Sequence, residues 1–281
     1  MVDPNATIDW SYSNAQLYAS CPRSLFFHFW QRTGTEIAES TDDNILHGIS
    51  QSAGSIIGSA IHHALADHIQ RWVQNERTGL RQTQSTAESY IGKAVSQSSE
   101  SESLDLDSLS NTTDTHIETF FKTVWPSLHS QRYILHEETH SFDVSGNTVW
   151  VRPDLCVRES SPEEQAADTF VIYDWKSRQP STFEDQSLQL CVYALWANKT
   201  FEPDVERISP RIVFTQNGRI ERQDVSVEGL AQLETRIITQ STEWNPPDQR
   251  SRFPTEAAHE KCSTCAYLSS CGDGQKQMSP E

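Results

Sequence analysis

Residues 169–176 read Thr169-Phe170-Val171-Ile172-Tyr173-Asp174-Trp175-Lys176. The run is β-branched and aromatic up to Tyr173, which predicts a buried strand. It then ends on two charged side chains. An ionisable group closing a buried strand needs a reason, because burial of a charge is costly unless it is paired or coordinated. Residues i and i+2 of a strand face one side, so Asp174 and Lys176 are predicted to share a face. Taken alone, D-x-K is a common tripeptide, and a strand-end aspartate with a surface lysine explains it as well.

Working outward, hydrophobicity alternates with a period near 2 over 132–143 and 148–158, with Gly146 between them as a hairpin turn. Ser160–Ala167 is a polar connection to the strand at 169–176. A helix is predicted at 183–198. Strands follow near 210–216 and 219–226, joined at Asn217-Gly218, a strong hairpin signal. A last helix covers 227–240. Upstream, Ser13 is a candidate N-cap for a helix that stops before Pro22, and Pro22 can open a second helix reaching Trp30. Residues 31–50 read as irregular. A helix over 52–77 carries Ile57, Ile61, Leu65, Ile69 and Trp72 on one stripe. Residues 81–114, rich in Ser, Gln, Thr and Glu, read as a solvated loop or linker. Another helix is expected at 115–125. The order predicts an α/β core with one central mixed sheet flanked by helices.

Asp154, in Val151-Arg152-Pro153-Asp154, lies on the strand before Asp174. Two carboxylates on neighbouring strands are the oxygen donors that hard cations such as Mg²⁺ prefer, and phosphodiester hydrolysis needs such ions. A cationic Lys176 beside them can position or activate a water. His62 and His63 sit on the long helix, after the small-residue patch Gly58-Ser59-Ala60. A helical histidine is usually structural. Gln189 and Tyr193 are an i, i+4 pair on one helix face, which is also what an ordinary polar face looks like.

The chain has 281 residues, enough for one elaborated domain or two small ones, and its 36% hydrophobic and 22% charged residues fit a globular class. The net charge of -17 argues against a protein that coats nucleic acid non-specifically. It leaves a nuclease open, because bound cations can neutralise a carboxylate site locally. Arg71, Arg152 and Arg178 lie near the motifs as weak candidates for a basic groove. No apolar run is long enough to span a bilayer, and Met1-Val2-Asp3-Pro4-Asn5 does not resemble a signal peptide, so no membrane association and a cytoplasmic location are expected.

Six cysteines are present, at 21, 156, 191, 262, 265 and 271. In a cytoplasmic setting, clustered cysteines point to metal or redox chemistry. Cys262-x2-Cys265-x5-Cys271 is such a cluster. Four thiolates suit either Zn²⁺ or an iron–sulfur cluster, and spacing alone makes zinc the default. Cys156 and Cys191 read as small buried hydrophobes.

Together these pieces resemble the RecB-like branch of the PD-(D/E)XK nucleases. The residues that carry the resemblance are Gly58…His62, Asp154, Asp174-Trp175-Lys176 and Gln189…Tyr193, in that order. Cys21-Pro22-Arg23 followed by Cys262, Cys265 and Cys271 is similar to the AddB nuclease domain and the CRISPR-associated RecB-like exonucleases. The resemblance spans residues 11–272. It implies a restriction-endonuclease-like core whose N- and C-terminal segments are joined by a metal cluster. It implies that His62, Asp154, Asp174 and the Trp175 carbonyl bind Mg²⁺ or Mn²⁺. Lys176 would serve the nucleophilic water, and Gln189 and Tyr193 would orient DNA or active-site groups. It selects His62 over His63 and implies a 4Fe–4S cluster on Cys21, Cys262, Cys265 and Cys271, with Zn²⁺ as the alternative. The expected organisation is one nuclease domain over 1–281. Within it, 11–50 holds the N-terminal helices, 81–114 is a polar insertion, longer than in compact members, and 241–281 bears the other cysteines.

The resulting expectation is a deoxyribonuclease acting as an exonuclease on single-stranded DNA ends, in recombination and repair or in CRISPR adaptation. With no G-x-x-x-x-G-K-S/T loop, strand opening would fall to a separate helicase, or the fragments would come from CRISPR adaptation proteins. Two other readings compete. One is a non-catalytic DNA-end-binding iron–sulfur subunit of a helicase–nuclease complex. The other is a zinc-stapled scaffold for protein partners.

Overall fold

The computed structural model describes residues 7–34, 52–98, 104–160, 168–178, 183–246 and 250–279. The chain divides into two compact units. One comprises Met1–Ile49, Ser141–Trp150 and Gln232–Glu281, the other Ser50–His140 and Val151–Ala231.

The second unit is built on a five-stranded mixed sheet. Its strands are β2 (Arg132–Leu135), β5 (Leu155–Glu159), β6 (Thr169–Lys176), β7 (Ile208–Phe214) and β8 (Arg219–Arg222), in the order β2-β5-β6-β7-β8. β6 pairs antiparallel with β5 and parallel with β7, and the other pairs are antiparallel. The predicted strand at 169–176 is β6 itself. Alternation along it decides the packing. Val171, Tyr173 and Trp175 join Leu155, Val157 and Val213 in one apolar layer. Against that layer lie Ile61, Leu65 and Ile69 of α3 (Ala53–Val73) and Phe120 of α5 (Leu106–Thr123). Each such buried side chain contributes roughly 1.5–3 kcal/mol. The helix α7 (Phe183–Phe201) packs against β6 and β7.

Residues 81–114 are not the loop that their composition predicts. Leu80–Gln97 is a helix, α4, and α5 begins at Leu106, before the expected 115. The reason is a thin stripe of small apolar side chains. Ala87, Ile91 and Val95 recur at four-residue spacing and are buried against Ile56, Ala60 and Ala64 of α3 and Leu109 and Ile117 of α5. The part of the stretch at 99–103 lies outside the described residues.

The predicted strands 132–143 and 148–158 each break in two. Glu137 adopts a left-handed backbone (φ 48°) after β2, and residues 152–154 interrupt the second run before β5. Pro153 lacks the N–H that a ladder needs. The pieces β3 (His140–Val144) and β4 (Asn147–Val151) belong instead to a three-stranded sheet, β1-β4-β3, with β1 at Trp10–Ser11. Gly146 (φ 83°) makes the β3–β4 turn, and Gly218 (φ 72°) makes the β7–β8 turn. Both turns were expected from the sequence. A side chain at Gly218 would also collide with Thr123, since an added Cβ would lie 2.1 Å from its Oγ1.

In the first unit, Tyr12–Ser20 (α1) and Pro22–Gly34 (α2) are the two expected helices, with Pro22 opening the second. The N-cap is Ser11, not Ser13: its side chain accepts from Asn14 N–H. Of the 31–50 stretch expected to be irregular, 31–34 belong to α2 and 35–50 lie outside the described residues. The C-terminal helix α8 runs Val227–Trp244, and the tail carries the short helices α9 (His259–Cys262) and α10 (Gly272–Met278). The tail is fastened to the N-terminal helices. Arg23 Nε donates to Phe253 O at 2.6 Å, and Lys261 Nζ donates to Ser20 O at 2.8 Å. No helix among the described residues is long and apolar enough to cross a membrane.

His68 of α3 makes stability in the second unit pH-dependent. It is 1% exposed, between the rings of Phe121 and Trp125, with Nδ1 2.9 Å from Thr78 Oγ1. Burial lowers its pKa to about 4, with Asp67 opposing. The unfolded chain takes up this proton near the usual value of about 6.5, the folded protein only near 4. Between those values the unfolded state binds more protons, so the contribution is complete above about pH 6.5 and lost as pH falls to about 4. His68→Gln is expected to flatten urea-unfolding stability against pH across this window by at most about 1.4 kcal/mol per pH unit.

Candidate active site

The strand ends of the second unit place the motif residues together. Asp154 stands just before β5, and Asp174 and Lys176 lie at the end of β6. Asp154 and Asp174 are 5% and 2% exposed. Asp154 Oδ2 accepts the Trp175 N–H, which locks the two strand ends to each other. Lys176 Nζ is 2.7 Å from Asp174 Oδ2, as expected for i and i+2 on one face.

His62 reaches this cluster from α3. Its Nδ1 lies 3.2 Å from Asp154 Oδ1, and its Nε2 lies 3.0 Å from Trp175 O. His63 points elsewhere, with its ring 5.2 Å from that of Tyr90. The close approach of α3 is allowed by Gly58, where an added Cβ would lie 3.3 Å from Ser177 Oγ.

From α7, Gln189 and Tyr193 complete a directional chain. Lys176 Nζ donates to Gln189 Oε1, Gln189 Nε2 donates to Tyr193 OH, and Tyr193 OH donates to Arg152 O, each at 2.9 Å. The ammonium has only donors and the carbonyl only acceptors, so the direction of every bond is set. The chain ties Lys176 to the backbone two residues before Asp154. A second anchor holds the other side of Lys176: its carbonyl accepts from Thr215 N at 3.0 Å and Thr215 Oγ1 at 3.2 Å, and buried His116 Nδ1 lies 2.9 Å from that hydroxyl.

The electrostatics follow from burial among carboxylates. Burial pulls the Lys176 pKa down, but Asp174 and Asp154 outweigh it, so the amine stays an ammonium. Burial raises the Asp154 pKa, against the pull of His62. Burial opposes protonation of His62, yet Asp154 and Glu137 hold its pKa well above the usual value. Burial, then Asp174 and Asp154, keep Tyr193 a phenol.

Glu137 is the site residue that the sequence did not show. The strand pattern placed it inside a continuous strand, with no motif spacing to single it out. Its carboxylate faces His62 at 3.5 Å and receives Arg152 Nε at 3.0 Å. Two of the three candidate groove arginines are thus committed to carboxylates: Arg152 to Glu137, and Arg71 to Asp67 and Glu76.

The residues suit a hard divalent ion. Asp174 Oδ2 is buried against the Lys176 ammonium, and Glu137 Oε1 is buried with no aligned hydrogen bond, 3.5 Å from His62 Nδ1. An oxygen left this way costs free energy unless a cation satisfies it. His62, Asp154 and Glu137 converge as one nitrogen and two carboxylate donors.

The first unit gathers Cys21, Cys262, Cys265 and Cys271 around one cavity of about 240 Å³, lined also by Arg23, Ser24 and Tyr267. All six cysteines are free thiols. Glu256 N–H points at Cys21 Sγ (3.5 Å) and Gly274 N–H at Cys271 Sγ (3.4 Å). Cys156 is fully buried in β5, and Cys191 is half-buried in α7.

A search of curated protein sequences finds no match. A family model described as the PD-(D/E)XK nuclease superfamily matches residues 9–272. That span takes in every residue of the aspartate–lysine cluster as well as Cys21 and the three cysteines of the tail. With strand-end aspartates and a lysine on a mixed sheet, and a match across nearly the whole chain, this protein belongs to the PD-(D/E)XK nuclease superfamily.

Proposed function

We propose that the chain is a divalent-metal-dependent deoxyribonuclease that degrades single-stranded DNA from its ends. The observation that carries this reading is the buried Asp174–Lys176 pair at 2.7 Å beside Asp154 and His62. Asp154, Asp174, His62 and the Trp175 carbonyl would hold Mg²⁺ or Mn²⁺. When bound, the ion offsets charge at the scissile phosphate and acidifies a water. Lys176, an ammonium, donates to the attacking water and keeps it in line. Asp174 orients that amine from one side and Gln189 from the other. Tyr193 holds Gln189 and the Arg152 carbonyl, so the approach to Asp154 keeps its shape. Asp154, Asp174 and Lys176 stand together, and nothing favours a non-catalytic end binder.

The second part of the reading is a 4Fe–4S cluster on the four cysteines of the first unit. N–H groups aimed at the sulfurs of Cys21 and Cys271 suit such a cluster, because hydrogen bonds to sulfur tune it. The cluster is a structural staple. Where the substrate is duplex DNA, in repair or CRISPR adaptation, a separate helicase opens the strands.

Protein purified without oxygen should shorten an end-labelled single-stranded oligonucleotide in Mn²⁺ and leave a circular single strand intact. Equal attack on the circle would replace the exonuclease reading with an endonuclease. No attack on either strand by folded, metal-loaded protein would overturn the catalytic reading.

A further inference from the structure

Glu137 stands where the chain leaves β2. Its backbone lies in the left-handed region (φ 48°), which costs energy for any residue with a Cβ. The main chain is pinned there by Glu137 N–H, which donates to Pro153 O at 3.0 Å. This turns the side chain inward, where it is 14% exposed. Arg152 satisfies Oε2 at 3.0 Å. The other oxygen, Oε1, is buried without a hydrogen bond, 3.5 Å from His62 Nδ1. An ion pair with Arg152 alone would not need the inward turn, which sets Oε1 against the His62 ring and beside Asp154.

His62 Nδ1, Glu137 Oε1 and Asp154 Oδ1 all lie within 4.8 Å of one another. An octahedral ion with bonds of about 2.1 Å spaces neighbouring donors about 3 Å apart and opposite donors about 4.2 Å apart. The three atoms are a small adjustment from one coordination sphere. The geometry points to Glu137 as an additional carboxylate ligand of the divalent cation, beside His62 and Asp154. The inference rests on the metal-dependent reading of this site. Arg152 then orients the ligand by holding its second oxygen, the role that outer hydrogen bonds play for metal-bound carboxylates.

The test is Mn²⁺ binding, without DNA, to protein cleared of divalent ions by a chelator. It is read by titration calorimetry and by the resonance signal of free Mn²⁺. Glu137→Gln keeps the shape and removes the charge, and should weaken Mn²⁺ at least about tenfold. Asp154→Asn, run in parallel, should weaken it as well. If Asp154→Asn weakens binding and Glu137→Gln does not, Glu137 is no ligand and the site reading stands. If neither changes the affinity, the site reading itself falls. Arg152→Ala separates ligation from scaffolding. A ligand role predicts a smaller loss of affinity in Arg152→Ala than in Glu137→Gln. Equal losses, with equal drops in melting temperature, would make Glu137 a scaffold residue and overturn the inference. If Glu137→Gln does not fold, Glu137→Asp keeps the charge but shortens the reach. It should weaken Mn²⁺ with little change in melting temperature, and an unchanged affinity would count against ligation.

Discussion

Lys176→Ala should cut DNA cleavage by on the order of 10²–10⁴-fold, the range for removing a positioned proton-transfer group, while the protein stays folded. The expectation follows from what surrounds the amine. Lys176 Nζ is held at 2.7 Å from Asp174 and 2.9 Å from Gln189, so it has a set position without DNA. Its loss removes the cation that faces the reacting water and leaves Asp174 buried without its charge partner. Mn²⁺ should still bind, because the variant removes a competing cation and no ligand. The measurement is single-turnover cleavage of an end-labelled single strand, with calorimetric Mn²⁺ binding on the same preparation. Lost cleavage with intact Mn²⁺ binding separates Lys176 from the metal ligands. Equal cleavage by parent and variant would show that the active site lies elsewhere or that the activity is a contaminant.

Cys21→Ala should give a colourless protein whose N-terminal helices and cysteine-bearing tail come apart. Cys21 ends α1, and its three partners lie about 240 residues further along the chain, a loop whose closure strongly constrains the unfolded state. Metal binding at a site that does not exist in the unfolded chain is folding free energy, about 10–16 kcal/mol for structural zinc in small peptides. That is comparable to the whole stability margin of a domain, about 5–15 kcal/mol. Iron, acid-labile sulfide and zinc content, with thermal unfolding by circular dichroism, would check it. A stable Cys21→Ala protein with full metal content would sink the assignment. Stoichiometric zinc without iron in the parent would keep the staple and replace the cluster. Cys191→Ala is the control: it lies in α7 and does not line the cavity, and it should leave metal content unchanged.

Some of this molecule could be read in one dimension. The run at 169–176 shows its strand because a buried β6 must be apolar almost to its end, and the two charges that break the run are the site. Asn217-Gly218 and Gly146 show their turns because the backbone demands φ > 0 at each glycine. Gln189 and Tyr193, one helical turn apart, meet as the spacing requires. The polar stretch at 81–114 misled because composition hides a thin stripe. Ala87, Ile91 and Val95 suffice for a helix only when the small face of α3 lies opposite, and that face belongs to the preceding helix, beyond the reach of any local period.

What the sequence determined by itself is therefore the strand that carries Asp174 and Lys176, the hairpin turns and the cysteine spacing. These depend on neighbours a few residues apart. The tertiary structure alone decided that 81–114 folds as helix, and that the strand runs around 137 and 153 break and feed two different sheets. It also turned Glu137 inward to His62 and Asp154. Those outcomes depend on packing and hydrogen bonds between segments that meet only after folding, such as Glu137 N–H on Pro153 O, and no local period records them.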